Sequence, residues 1–478
     1  MSLTAFRNSL MSDTVVSALR EGTIGDGISI PGLFGDVSLV YADYVASGRA
    51  LSQVEDYILK SVLPFYANSH TEASYCGAYM TRLRAEARAE IAKLTQAKDC
   101  TVIFTGSGAT AGLNRLISLF GVNEAKKAVV FVGPYEHHSN ILPWRESKAE
   151  VVEIPEAASG GPDLEALDRA LRNHHDADVK IGSFSAASNV TGIITAPDDV
   201  TRMLKAHGAL SVWDYAGGGP YLSIDMKTGT DCEKDAVVVS PHKFPGGPGG
   251  SGVLIVREAS VVRDTPSWPG GGTVSFVSPW AHAYSSNLAA REEAGTPNVV
   301  GDIRAALAFI VKDVVTQSFI SAREAELNDR AIEAWSRNAQ LSLLGVDHPN
   351  RLPIFSFRVR RADGTPFHHQ LFTRMLSDVY GIQTRGGCAC AGPYAHRLLE
   401  IDKLASETLF EDLKAGKEME KPGWVRLNFS YLMSDEKAQY VIDCVNELTT
   451  RLEELEPHYR SDPATARFSI KSDELVSV

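Results

Sequence analysis

Short runs rich in Val and Ile alternate with helix-length segments along most of this chain, and that alternation constrains the fold more than any other feature. Val102–Thr105, Ala128–Gly133, Val151–Ile154, Val179–Ser185, Leu210–Asp214, Ala236–Ser240 and Gly252–Val256 read as strands. Helices fit between several of them, near Ala109–Phe120, Asp163–Asn173 and Ala196–His207. Runs that are apolar throughout, rather than at every second residue, belong to strands covered on both faces, and the intervening helices supply the cover. The chain therefore reads as α/β with a mainly parallel sheet.

After about residue 265 the pattern changes. A Pro/Gly-rich loop, SWPGGGTVSFVSP, precedes a helical stretch near 299–340. From about 350 a second set of elements follows, with strands at Ile354–Val359 and Val425–Phe429 and helices at 366–380 and 434–455. The expected organisation is a large domain over 36–345 and a smaller α/β domain over 346–460. Residues 1–35 are expected to pack beside the smaller domain, with a polar tail, an arm or disordered, over 461–478.

Composition narrows the partners. A net charge of −12 over 478 residues argues against nucleic acid or an anionic membrane as the main partner. No run approaches the roughly 20 apolar residues of a membrane span. The N-terminal stretch has no apolar run of signal-peptide length, so the cytoplasm is the expected location. Six cysteines in a chain this long make no disulfide framework.

Chemistry-bearing residues gather where strands end. In FTGSGATAGLN (104–114) a strand gives way to small residues that open a helix. Backbone N–H groups at a helix start attract anions, and Gly106 and Gly108 allow close approach; an ordinary tight turn is the alternative. Asp214, in VWDYAGGG, lies where open α/β sheets bind ligands, and its carboxylate either pairs with a buried cation or caps the next turn. In AVVVSPHKFPGGPGGSG (236–252) a strand delivers Ser240, His242 and Lys243 to a Gly/Pro-rich loop. A partly desolvated lysine there becomes a nucleophile; a surface lysine is the plainer reading. In YEHHSNILPW (135–144), His137 or His138 is placed to stack on a cofactor or move protons. No metal is expected, because neighbouring histidines point apart on a strand and no ligand-spaced partners accompany them. His174–His175 and His368–His369 stand in polar contexts and are expected to face solvent. SNVTG (188–192) follows another strand end.

Taken in order, these blocks resemble class V aminotransferase-fold proteins, and most closely the cysteine desulfurase and selenocysteine lyase family, its Suf-type branch in particular. The resemblance runs from about Tyr41 to about Tyr431 through YAD, FTGSGATAGLN, EHHSNILPW, SNVTG, DYA, SPHK, GGGT, EAGTPN and RGGCACA. It implies fold type I of the pyridoxal-5′-phosphate (PLP) dependent transferases, with a seven-stranded sheet in the large domain. It implies that Lys243 carries PLP covalently, that Asp214 pairs with the pyridine nitrogen and that His137 stacks on the ring. Ala109, Thr110, Ser240 and His242 would hold the phosphate, with Thr296 reaching the phosphate of a neighbouring subunit in a homodimer with shared active sites. Asn189 would sit near substrate or cofactor, Arg426 would clamp the carboxylate of a small amino-acid substrate, and Arg385 would assist the thiol. Cys390 matches the sulfur-accepting cysteine, so L-cysteine or L-selenocysteine would yield L-alanine and a Cys390 persulfide for a possible acceptor protein.

The chain departs from the family pattern in four features: Gly217 replaces a usual Gln, Ala109 a usual Thr, Cys388 and Ala389 precede the thiol where His is common, and a charged insert occupies about 403–422. These leave open a C–S β-lyase, an aminotransferase or an epimerase that does not use the cysteine. A non-enzymatic sulfur-transfer scaffold that has kept the fold is a third possibility, against which Lys243 and Asp214 argue. The Cys388–Cys390 pair itself admits a redox relay between two thiols.

Overall fold

The computed structural model describes residues 2–69 and 72–471. Two compact units divide the chain. The first comprises Met1–Gly22, Ser47–Ser188 and Ile194–Phe319; the second comprises Thr23–Ala46, Asn189–Ile193 and Ile320–Val478.

The first unit is built on a seven-stranded sheet of β1 (Cys100–Gly106), β2 (Ala128–Val132), β3 (Glu150–Glu153), β4 (Val179–Ser185), β5 (Leu210–Asp214), β6 (Ala236–Val239) and β7 (Gly252–Arg257). Their order is β1-β7-β6-β5-β4-β2-β3. Only β7 runs antiparallel to its neighbours, β1 and β6; the remaining pairs are parallel. Every residue of β2 and β6 is buried, as apolar strands between two helical layers should be. The helix Gly108–Leu119 lies close on the sheet because Gly112 has no side chain: a Cβ there would stand 2.8 Å from Val238 Cγ1. Ile103, Leu113, Leu116, Val130, Val212 and Val238 form the core under it.

α1 (Leu3–Leu10) also belongs to this unit, which corrects the expectation that residues 1–35 accompany the smaller domain. Its buried face is Leu3, Phe6 and Leu10. Phe6 meets Tyr57 edge-on at 5.2 Å, and Arg7 pairs with Glu90 at 2.6 Å. Of the N-terminal stretch before Ser47, only Thr23–Ala46 joins the second unit. The expected Pro/Gly-rich loop contains a hairpin, β8 (Val274–Val277) with β9 (His282–Tyr284), and Trp280 at its tip is 91% exposed. α2 (Val299–Val315) completes the unit's interior, with twelve residues buried.

The second unit begins at Ile320 rather than near residue 346, because α3 (Gln317–Trp335) buries Leu327, Ala331 and Trp335 in its core. Trp335 contacts Phe355 at 5.0 Å and stacks with Phe429 at 6.1 Å. The antiparallel sheet runs β10 (Leu341–Leu343), β11 (Ile354–Arg360), β13 (Trp424–Asn428), β12 (Arg385–Gly387), with Pro366–Phe367 added on β11. α4 (His369–Tyr380) covers it and stops at Gly381, left-handed at φ 70°, where a Cβ would strike Ser38 O at 2.0 Å. Next come α5 (Gly392–Leu398), α6 (Lys403–Lys414) and α7 (Asp435–Thr450). The charged insert is thus a helix, α6, and none of its residues is buried. The polar tail is also ordered in part: β14 (Tyr459–Asp462) pairs with β15 (Arg467–Ile470), while 472–478 lie outside the described residues.

Candidate active site

In the first unit, β1, β2, β4, β5 and β6 end on one edge of the sheet, where ligands bind open α/β sheets. β5 ends on Asp214, which is 4% exposed. Its Oδ1 accepts the Ala216 N–H at 2.7 Å. Burial pushes the Asp214 carboxyl up, and the positive charge of Lys243 draws it partly back. β6 passes through Ser240 into a single turn, Pro241–Lys243, closed by Lys243 N–H donating to Ser240 O at 3.0 Å. Lys243 is half-buried. His242 is pushed down to about 4 by burial and by Lys243, so it is a neutral imidazole near pH 7.

Ser240 joins this turn to the one after β1, since its Oγ accepts the Ala109 N–H at 3.0 Å. Gly108, at φ 62°, makes the approach possible: a Cβ there would stand 3.0 Å from Ser240 Oγ and 3.5 Å from His242 Cε1. Thr110 Oγ1 meets Ser139 Oγ at 2.7 Å, and Ser139 in turn bonds His137 Nδ1 through its hydroxyl at 3.0 Å and its N–H at 3.1 Å. One chain of bonds thus links Thr110 to the His137 ring.

Glu136 is a site residue that the sequence did not single out. It is buried between β2 and β4, where Oε1 accepts Ser185 N–H at 2.9 Å and Oε2 accepts Ser185 Oγ–H at 2.7 Å and the Asn140 amide. Asn140 Oδ1 accepts Trp144 Nε1–H at 3.3 Å and the Ser183 hydroxyl. Burial raises the Glu136 carboxyl to about 7, and the Asp214 charge adds to the effect. Gly133 was the available signal: a Cβ there would meet Glu136 Oε1 at 2.6 Å. Lys312 on α2 was also missed. It donates to Gly219 O at 2.7 Å and to Leu222 O, lies 5.7 Å from the Phe244 ring, and is pushed down to about 7 by burial. It steadies the loop that includes Gly217. Thr296 is exposed, beside Gly295, whose N–H donates to Gly271 O at 2.8 Å.

The second unit holds the other expected residues. Arg426 on β13 and Arg385 on β12 are direct partners across the ladder. Asp43 accepts from both, from Arg426 NH2 at 2.9 Å and Arg385 Nε at 3.1 Å. Arg426 is buried and its NH1 donates to Asn189 O at 3.1 Å; Arg385 is 48% exposed at the side chain. Asn189 Nδ2 donates to Ala389 O at 2.8 Å, so this residue ties the arginine strand to the cysteine turn. In that turn Ala391 N–H donates to Cys388 O at 3.2 Å, and both central residues, Ala389 (φ 53°) and Cys390 (φ 56°), are left-handed. Such conformations cost non-glycine residues about 1–3 kcal/mol each and persist where surroundings hold them. Cys390 is exposed and Cys388 half-buried.

A family model described as aminotransferase class-V matches residues 40–438. The chain belongs to the class-V aminotransferase family. Among similar curated proteins, the cysteine desulfurase of Enterobacter sp. (strain 638) is 30% identical over 363 residues, covering 74% of this chain and 85% of the relative. A probable cysteine desulfurase of Vibrio cholerae is 29% identical with the same coverage. Among solved structures, the apo cysteine desulfurase of Thermococcus onnurineus NA1 superposes with a TM-score of 0.72 at 22% identity, covering 86% of this chain and 95% of that one. A cysteine desulfurase of Escherichia coli gives 0.66 at 20%, covering 95% and 99%.

Class-V aminotransferases and cysteine desulfurases are PLP-dependent, and so is this enzyme. The first unit fits the group. It offers a half-buried lysine, a buried carboxylate whose charge acts on that lysine, and a cradle at Gly108 that a Cβ would narrow against Ser240. No helix of the described residues is long and apolar enough to cross a membrane. The histidine pair His368–His369 does not face solvent as expected. Its rings stack at 4.7 Å, and burial pushes His369 down to about 4.

Proposed function

We propose that this class-V enzyme is a cysteine desulfurase that removes sulfur from L-cysteine, or selenium from L-selenocysteine, and leaves it on Cys390 with release of L-alanine. The observation that carries the reading is the exposed Cys390 on a strained turn pinned by Asn189, within the unit that also presents Arg385 and Arg426. Bound PLP supplies an electron sink for the substrate amino acid. Lys243 would hold the cofactor covalently, and Asp214 would balance a protonated pyridine nitrogen. His137, fixed by Ser139, would stack on the ring and move protons. Ser240, His242 and Thr110 would hold the phosphate, with Ala109 positioned through Ser240. Arg426 and Arg385 would receive the substrate carboxylate in a geometry that Asp43 sets. The Cys390 thiolate attacks the substrate sulfur, and the Cβ–S electron pair stays with carbon, which is protonated to alanine.

A homodimer in which Thr296 reaches the neighbouring site belongs to the same proposal, as do a cytoplasmic location and transfer of sulfur to an acceptor protein. The exposed hairpin supports the dimer, because Phe276, Val277 and Trp280 together expose apolar surface on one element and such clustered patches mark interfaces. Holoenzyme given L-cysteine should form alanine and sulfide in equal amounts under a reductant. Cys390→Ala should form neither and still bind PLP. Alanine formation that survives this substitution would assign the sulfur to another acceptor; 3-mercaptopyruvate would indicate a transaminase, D-cysteine an epimerase, and pyruvate with sulfide a C–S β-lyase.

A further inference from the structure

Two thiols, not one, stand in the turn after β12. Cys388 is its first residue and Cys390 its third, and the bond from Ala391 N–H to Cys388 O closes it. The left-handed residue between them, Ala389, reverses the chain tightly. A helical backbone of either hand sets residues i and i+2 about 5.4 Å apart at Cα, within the span of roughly 4.4–6.8 Å that a disulfide bridges. The remaining cysteines offer no equivalent pair. Cys232 and Cys444 are buried, and burial pushes the Cys100 and Cys444 thiols up to about 11 and about 12. Cys388 and Cys390 are both accessible, and Cys390 lies near enough to Arg426 for its charge to act on the guanidinium.

We infer that Cys388 is a resolving thiol that releases the sulfur held on Cys390. This rests on the desulfurase reading and extends it. The Cys388 thiolate attacks Cys390 Sγ of the persulfide. A bond forms between Cys388 Sγ and Cys390 Sγ, and the bond from Cys390 Sγ to the outer sulfur breaks. The outer sulfur leaves as hydrosulfide with the electron pair. Its oxidation state falls to that of sulfide, while the two cysteine sulfurs are oxidised to a disulfide. The Cys388 proton passes to the leaving group or to water, and no outside oxidant is consumed. A small thiol or a dithiol protein then restores both cysteines, so sulfide release is limited by the supply of reductant. Asn189 helps by fixing Ala389 O, which holds the turn compact.

The test is a single turnover of holoenzyme with one equivalent of L-cysteine, itself a thiol, and no added reductant. Wild type should release one sulfide for each alanine and end with Cys388 and Cys390 joined, and dithiothreitol with further L-cysteine should restart it. Trypsin cleaves after Arg385 and Arg397, so both cysteines fall on peptide 386–397. By mass spectrometry that peptide should be two hydrogens lighter than its dithiol form. Cys388→Ser should form alanine in the first turnover but keep the sulfur, its peptide one sulfur atom heavier; Cys388→Ala is the second variant should the serine perturb the turn. Wild type that forms alanine and also retains the extra sulfur overturns this inference alone. Wild type that forms no alanine overturns the desulfurase reading and the inference with it.

Discussion

Arg385 and Arg426 face each other across an antiparallel ladder and share one counter-ion, Asp43. Like charges directly opposite are destabilising in a sheet, and burial already disfavours the Arg426 charge. Asp43 offsets both costs. Asp43→Asn should therefore lower stability by about 3 kcal/mol, the usual range for stripping a buried charge of its partner. Urea unfolding of wild type and variant measures this. A loss within error of zero would mean that the arginines need no counter-ion.

Gly108 adopts φ 62° against Ser240 and His242. Gly108→Ala adds left-handed strain of about 1–2 kcal/mol and crowds the cradle. PLP affinity should fall by about tenfold or more, read as a shift in a cofactor absorbance titration. Unchanged affinity would place the phosphate elsewhere.

Glu136 carries a pH signature. Its folded carboxyl is raised to about 7 from the ordinary 4.5, so it favours the folded state fully below 4.5, and that contribution is lost as pH rises through 7. The loss across the window is about 3 kcal/mol. Holoenzyme melting temperature should fall between pH 5 and 8 through this group, and Glu136→Gln should flatten that slope. An equal slope in both proteins would show that Glu136 titrates normally.

Asn189→Ala removes the amide that holds Ala389 O and keeps the backbone carbonyl that accepts from Arg426. One such bond contributes about 0.5–1.5 kcal/mol. Sulfide formation should slow by about two- to tenfold, with faster alkylation of Cys390 by iodoacetamide. Neither change would appear if the turn held without Asn189.

The sheet was readable because its strands are apolar on both faces: Val179–Ser185 and Leu210–Asp214 match expectation residue for residue. The strand ends carrying Asp214 and Lys243 were readable for the same reason. Asp43 was not, because its role arises only when Thr23–Ala46 meets a ladder formed much later in the chain. Glu136 and Lys312 were hidden because a charged residue reads as exposed until burial is known. α1 was misplaced because its apolar face, Leu3, Phe6 and Leu10, fits any apolar surface equally well in sequence.

The one antiparallel strand of the seven-stranded sheet, β7, has a consequence for biosynthesis. It binds β1 on one side and β6 on the other, pairing Gly252 with Gly106 and Val253 with Val239. The Gly108 turn and the Lys243 turn are therefore registered against each other only once β7 has emerged and closed a loop of about 150 residues, a slow, late kind of contact. A nascent chain that stops short of Arg257 has the lysine but no assembled pocket. Cofactor capture then reports completion of the sheet, and ribosome-bound fragments ending before and after β7 should differ sharply in PLP uptake.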